Sequence, residues 1–166
     1  MPELTKKDLE KIRQELDHRR IELRPQLLEA VKEARAFGDL SENFEYKAAK
    51  QEKNKNEGRI RFLERTLKTA RVVEDRSAPD RVGLYDKVTV LLEDEGETET
   101  YQIVTTLRQD ALRGIISKES PMGRALMGRR AGDRATVELD NGYSYGVVIQ
   151  SIEKGEDDGS LPLNRF

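Results

Sequence analysis

The chain has 166 residues, of which 37% are charged and 36% hydrophobic, and its 30 Lys and Arg against 32 Asp and Glu leave a net charge of −2. This composition permits one ordinary domain or two small ones but argues against a single large core, so part of the chain should be slender and solvated. The even charge excludes a bulk polyanion binder, the absence of cysteine excludes disulfides and thiolate metal sites, and a single histidine, His18, cannot build a His-based zinc site.

From residue 5 to residue 75, glycine occurs only at Gly38 and Gly58 and proline only at Pro25. Leu9, Ile12, Leu16, Leu23, Leu27 and Val31 recur in steps of three, four and seven, the spacing of a coiled-coil seam. A second series, Ala49, Ile60, Leu63, Leu67 and Ala70, follows Gly38. Two long helical patterns around a short break predict an antiparallel hairpin over residues 1–76, reversing near 37–43 and on the order of 50 Å long. The seam is uneven. Near the base Leu9, Ile12 and Leu16 can face Ile60, Leu63 and Leu67. Towards the tip the second arm offers Gln51 to Asn56 with no large apolar residue, leaving contacts such as Phe37 or Phe44 against Ala48. Pro25 should kink or locally open the first arm, because it lacks a backbone donor and crowds the preceding turn. His18, beside Arg19 and Arg20, reads as a solvated side chain.

The stretch "EDRSAPDRVGLYD", Glu74 to Asp86, reads as a linker, narrowest over 77–83. Residues 84–154 then change period. "KVTVLLE" and "TETYQIVT" suggest two strands around the Glu93–Glu97 turn, where Gly96 can take a positive φ. "SPMGRALMG" reads as a short helix with Ser120 at the N-cap, Pro121 at the first helical position and Gly128 just beyond the end. "RATVELDNGYSYGVVIQSIE" reads as a second hairpin with a type I′ turn at Asn141-Gly142. Tyr143 and Tyr145 share one strand face and read as sheet packing. The whole is expected to be a small antiparallel sheet carrying one helix. Residues 155–166 are rich in glycine and acids and are expected to be disordered at least in part. No apolar run approaches the ~20 residues that span a bilayer, and the N-terminus lacks a signal-peptide core. A cytoplasmic protein without membrane contact is therefore expected.

At the reversal, "ARAFGDLSENFEYKAAK" places Asp39, Glu42 and Glu45 among Arg35, Lys47 and Lys50. Asp39-Leu40-Ser41-Glu42 has the spacing of a capping box, with Asp39 as N-cap and Glu42 reaching back. The same two carboxylates, on a stiff probe, could instead hold a hard cation. They are too few for a calcium cage but suit magnesium, which keeps waters and shares further ligands with a phosphate. A cap can preorganise the acids, so the readings are compatible. Lys47, Lys50, Lys53 and Lys55 do not share one helical stripe, and both an RNA-facing patch and a solvated face remain open.

Two long segments carry a resemblance. "EARAFGDLSENFEYKAAKQEKNKNEGRI" resembles the tip segment, and "GIISKESPMGRALMGRRAGD" the C-terminal signature, of the Gre family of bacterial transcript cleavage factors. "RRIELRP" and "YDKVTVLLEDEGETETYQIV" match in type and order, and the likeness covers roughly residues 5 to 153. It implies an α+β chain: an N-terminal antiparallel coiled-coil hairpin, then a small FKBP-like antiparallel β-sheet domain with one short helix. It further implies that the C-terminal domain docks on bacterial RNA polymerase while the coiled coil passes down the secondary channel, where the polymerase cleaves backtracked RNA.

On this resemblance Asp39 and Glu42 assist the second magnesium, with Ser41, Asn43, Glu45 and Tyr46 supporting the tip. Arg35 and Lys50 would hold the 3′ end of the RNA. Ser120, Pro121, Gly123, Arg124, Ala125 and Gly128 would dock on polymerase. The protein would be a monomeric coactivator, with no cofactor of its own and Mg2+ shared with the polymerase active site. A channel-binding regulator without cleavage activity is the alternative. An autonomous nuclease is disfavoured, because no third or fourth ligand stands near the tip.

The chain departs from the family pattern at several points. Lys50 replaces a frequent arginine, which loses bidentate geometry. Phe44 replaces a usually small residue. "TTLRQDALRGIIS" lacks a common acidic run, and the tail from Gly155 has no counterpart. An FKBP-like fold raises prolyl isomerase activity, but the stretch has few aromatics for a proline pocket and none is expected. The even charge of the arm leans towards short RNA fragments.

Overall fold

The computed structural model describes residues 1–38 and 43–165. Its contacts divide into two units, 1–2 with 8–71 and 3–7 with 72–165. A two-residue strand, Glu3–Leu4 (β1), precedes the first arm. The arm's spaced apolar residues fold as two helices, Lys6–Asp17 (α1) and Arg24–Ala36 (α2), joined by a π-helical stretch over His18–Leu23. There the Arg24 amide reaches back five residues to the Arg19 carbonyl. Pro25 follows directly. Its ring crowds the carbonyl four residues back, and the wider π turn relieves that crowding, which is the local opening expected at Pro25.

The second arm is one helix, Phe44–Thr69 (α3). Ile12 and Leu16 from the first arm and Ile60 and Leu63 from the second are all buried. Towards the tip only Ala34 is buried among the described residues, so the hydrophobic term fades along the hairpin as the sequence implies. Ion pairs take over in the middle: Arg24 makes a two-pronged contact with Glu57 at 2.7 and 2.9 Å, and Arg20 meets Glu64 at 2.5 Å. The Phe37 and Phe44 contacts expected against Ala48 are absent; both rings are more than three-quarters exposed.

A short strand, Arg71–Val72 (β2), leads into the second unit. Its sheet has five strands: Lys87–Leu92 (β3), Glu97–Val104 (β4), Ile115–Ser117 (β5), Arg134–Glu138 (β6) and Ser144–Glu153 (β7), in the order β5-β4-β3-β7-β6. The sheet is antiparallel except at one edge, where β5 runs parallel to β4. The chain reaches that edge through two single 3₁₀ turns, Thr106–Arg108 and Ala111–Arg113, rather than through a hairpin. The Leu92–Glu97 turn has Gly96 at φ +69, as expected. The turn at Asn141-Gly142 is not type I′, because only Gly142 has a positive φ. Leu139 accepts from Gly142 and donates to Tyr143, the pattern of a type I turn closed by a glycine bulge.

Helix Pro121–Leu126 (α4) contributes Met122 and Leu126 to a core with Val88, Val90, Ile103, Ala135, Val137, Val147 and Ile149. Val82 completes that core, although its segment reads as linker. Its amide donates to the Arg129 carbonyl at 2.9 Å and its carbonyl accepts from Gly128 at 3.0 Å. Tyr145 packs on this core, whereas Tyr143 is 57% exposed just before β7.

Candidate functional site

The reversal of the hairpin is framed by three residues of the acidic tip segment. Asn43 is the N-cap of α3: its Oδ1 accepts from the Tyr46 amide at 3.0 Å. Its Nδ2 donates to the Ala34 carbonyl at 2.6 Å, tying the start of the second arm to the end of the first. Arg35 donates to the Tyr46 hydroxyl at 3.1 Å. The cap therefore lies four residues beyond Asp39. Asp39, Ser41 and Glu42, expected as metal-assisting acids and tip support, lie outside the described residues. Glu45 occupies the first turn of α3, where a negative charge is favoured by the helix dipole. Lys50 is exposed on α3, and Lys47 lies 5.7 Å over the Phe44 ring.

The Tyr46 phenol is held below its ordinary value by the hydrogen bond and charge of Arg35, with Lys50 and Lys53 adding to the effect. Arg35, Lys50 and Lys53 thus bring positive charge to the Tyr46 phenol. Among the described residues no group of three or more His, Asp and Glu could hold a metal ion. No described helix is long and apolar enough to cross a membrane.

The residues expected to dock cluster on and around α4. Ser120 caps it, accepting from the Gly123 amide at 3.1 Å and donating to the Ser117 carbonyl at 2.6 Å, while Pro121 opens the first turn. Arg124 and Gly128 are exposed, Ser120, Pro121 and Ala125 are half-buried, and Gly123 is buried. A Cβ on Gly123 would stand 2.1 Å from the Ser117 carbonyl oxygen, so glycine there permits close packing.

Several structural residues escaped the sequence reading. Asn56 is buried and exchanges hydrogen bonds with Arg19 across the arms, Arg19 to Oδ1 at 2.9 Å and Nδ2 to the Arg19 carbonyl at 3.3 Å. It stands seven residues before Leu63, so the heptad itself was the signal; a polar seam residue fixes register. Arg59 is also buried, donating to Glu15 at 2.7 Å. Asp86 is wholly buried and accepts from the Gly83 and Gly155 amides and the Lys154 ammonium, at 2.7, 2.9 and 2.5 Å. His18 is exposed and meets Glu22 at 2.8 Å.

The tail from Gly155, read from composition as disordered in part over 155–166, is held at points from Gly155 to Asn164. Asp157 pairs with the buried Arg108 at 2.9 Å, Leu161 packs on Leu84, Tyr85, Val104 and Ile115, and Asn164 bonds to the Leu107 and Thr106 carbonyls at 2.6 and 3.1 Å. Composition hid this because Arg108 and its partners lie some fifty residues apart.

Residues 3–72 match the family model described as transcription elongation factor, N-terminal, and residues 77–154 that described as transcription elongation factor, GreA/GreB, C-term. The transcription elongation factor GreA of Streptococcus gordonii is 44% identical over 152 residues, covering 91% of this chain and 94% of that protein. The Streptococcus sanguinis GreA is 43% identical over the same shares. A crystal structure of GreA factor homolog 1 (Gfh1) from Thermus thermophilus is 30% identical, covering 92% of this chain and 99% of its own, with a TM-score of 0.43. With both halves matched in order, this chain belongs to the GreA/GreB family of transcription elongation factors.

Proposed function

We propose that this protein enters the secondary channel of bacterial RNA polymerase with its helical hairpin and stimulates the polymerase's own cleavage of backtracked RNA. Family membership supports this reading, and the tie from Asn43 to Ala34 is the observation that carries it. Among the described residues the hairpin buries almost nothing near its tip, yet Asn43, which follows Glu42 in sequence, ties the two arms by a specific polar bond. The Asp39 and Glu42 carboxylates offer the hard oxygen donors that magnesium takes, and they are too few to build a site alone. The ion, held mainly by polymerase and an RNA phosphate, would supply charge stabilisation to the attacking and leaving oxygens. Arg35 and Lys50 would balance the phosphates of the extruded 3′ end. The α4 face, with Arg124 exposed, would dock on the polymerase. The protein is then a coactivator and not itself a nuclease.

The deciding experiment mixes stalled, backtracked polymerase with wild type and with the Asp39→Ala/Glu42→Ala double variant, and sizes the released RNA. The double variant should bind polymerase and release no fragment. Cleavage at the wild-type rate by a folded double variant would remove the acids from the chemistry. Binding without cleavage by the wild type itself would make the protein a channel-blocking regulator.

A further inference from the structure

The segment beyond the matched family region folds back onto the loop that precedes β5. The family match ends at residue 154, and the tail begins at Gly155. Gly155 enters through a narrow gap: a Cβ there would stand 2.2 Å from the Tyr85 carbonyl oxygen. The tail then lies on the loop over 106–113. Arg108 in that loop is fully buried and donates to both Asp157 oxygens, at 2.9 and 3.3 Å, and to the Leu161 carbonyl at 2.8 Å. Lys7 holds the Asp157 carbonyl from the other side. Asn164 closes the contact on Leu107 and Thr106.

From Thr106 the bonds continue without a break to α4. The Thr106 hydroxyl donates to Glu119 at 3.0 Å and shares a 2.9 Å bond with the Ser117 hydroxyl. That hydroxyl accepts from the Glu119 amide at 3.0 Å. The Ser117 carbonyl accepts from Ser120, which caps α4, and is the atom against which Gly123 packs. A connected set of satisfied bonds holds its members in one arrangement better than isolated pairs do.

We propose that residues 155–165 are a brace that sets the affinity of the docking face. With its Asp157 and Asn164 anchors in place, the tail holds the Thr106–Ser120 segment, and with it the N-terminal end of α4, in the geometry that meets polymerase. Without the tail, α4 still folds but must be ordered on binding, and affinity falls. Asp157, Asn164 and Arg108 are thus positioning residues that touch neither RNA nor polymerase. This inference rests on the docking role of the α4 face.

The test measures the concentration of factor giving half-maximal cleavage, and the maximal rate at saturation, on backtracked polymerase. A chain ending at Lys154 should raise the half-maximal concentration roughly tenfold and leave the maximal rate unchanged, because the hairpin tip is untouched. Asp157→Asn and Asn164→Ala should each raise it by a few-fold, and they decide the matter if the truncated chain does not fold. A synthetic peptide of residues 155–166 added to the truncated protein should restore the wild-type value, and the raised value should persist well below the melting temperature of the truncated chain, which a role in global stability alone would not predict. Arg124→Glu is measured in parallel. If it weakens binding while the tail variants do not, the brace is overturned and the docking face stands. If neither weakens binding, both fail. A tail effect without an Arg124 effect, or a lower maximal rate at saturation, also overturns the brace.

Discussion

Arg35 covers the Tyr46 ring at 5.4 Å and donates to its hydroxyl at 3.1 Å, so one cation on the first arm both stacks on and bonds to one phenol on the second. The pair stabilises the phenolate and lowers the Tyr46 pKa. Burial raises those of Tyr101 and Tyr145. A depressed folded pKa contributes stability above the unfolded value near 10, and that contribution is lost as pH falls through the lowered value. An absorbance titration of tyrosinate should therefore show a Tyr46 step below those of Tyr101 and Tyr145, identified by its absence in Tyr46→Phe and moved upward in Arg35→Ala. The same Tyr46 midpoint in wild type and Arg35→Ala would break the link between the two arms.

Asn43 has two jobs that can be separated. Asn43→Asp keeps an oxygen for the Tyr46 amide but loses the donor to Ala34 and sets a carboxylate against that carbonyl. Helix content by circular dichroism should be unchanged, while stimulated cleavage drops at least severalfold. Asn43→Ala loses the cap as well and should cost the hairpin about 1 kcal/mol. Full cleavage by Asn43→Asp would mean the cross-arm bond does not position the tip.

In the hairpin seam, Glu15 receives hydrogen bonds from Arg59 at 2.7 Å and Arg19 at 2.9 Å. Burial pushes its carboxyl up, but the two guanidinium bonds and charges outweigh that and hold it below the ordinary carboxylate value. Its stabilisation is present above the unfolded pKa of about 4.5 and is lost as pH falls through the lowered folded value. Glu15→Gln should cost about 1–3 kcal/mol at pH 7, with the gap to wild type closing below pH 4. A constant gap from pH 7 to pH 3 in thermal melts would assign the loss to packing.

Much of the architecture was legible because its signals were local. The heptad leucines, the glycine at the reversal, the Ser120-Pro121 helix start and the Gly96 turn each depend on a few adjacent residues. Long-range polar pairs left no such trace. Nothing near Arg108 announces Asp157, and nothing near Asp86 announces Lys154. The candidate site was legible in the same uneven way. Asn43, Arg35 and Tyr46 fall within one quoted motif, yet the cap moved from Asp39 to Asn43, since both types cap equally well and local spacing alone does not choose between them. Val82 hid inside a linker-like composition because a single valine carries no periodicity.

Gly123 tests the support of α4, the proposed docking helix. Gly123→Ala adds a methyl whose carbon would stand 2.1 Å from the Ser117 carbonyl oxygen and 2.9 Å from the Lys118 Cα, so backbone must shift. The expected cost is about 1–3 kcal/mol, felt in the β domain and not in the hairpin. The variant should need more factor for half-maximal cleavage. Unchanged melting and unchanged affinity would show that α4 is seated more loosely than this packing implies.

Magnesium separates a coactivator from a nuclease. Two carboxylates leave most of the ion's six positions to water, and where water reaches them each attraction is weak. The free protein should therefore bind magnesium negligibly at millimolar concentration and leave naked RNA uncut. On the proposed mechanism the polymerase's acids and an RNA phosphate would hold the ion, and Asp39 and Glu42 would complete a shell rather than build one. The factor should thus lower the magnesium concentration needed for half-maximal cleavage. Asp39→Asn keeps size and polarity but removes one charge, and it should move that concentration back towards the value without factor. Rates are measured over a magnesium series with wild type, Asp39→Asn and no factor. Superimposable curves for wild type and Asp39→Asn would leave the hairpin acting as a wedge, with no role for the Asp39 charge in holding the ion.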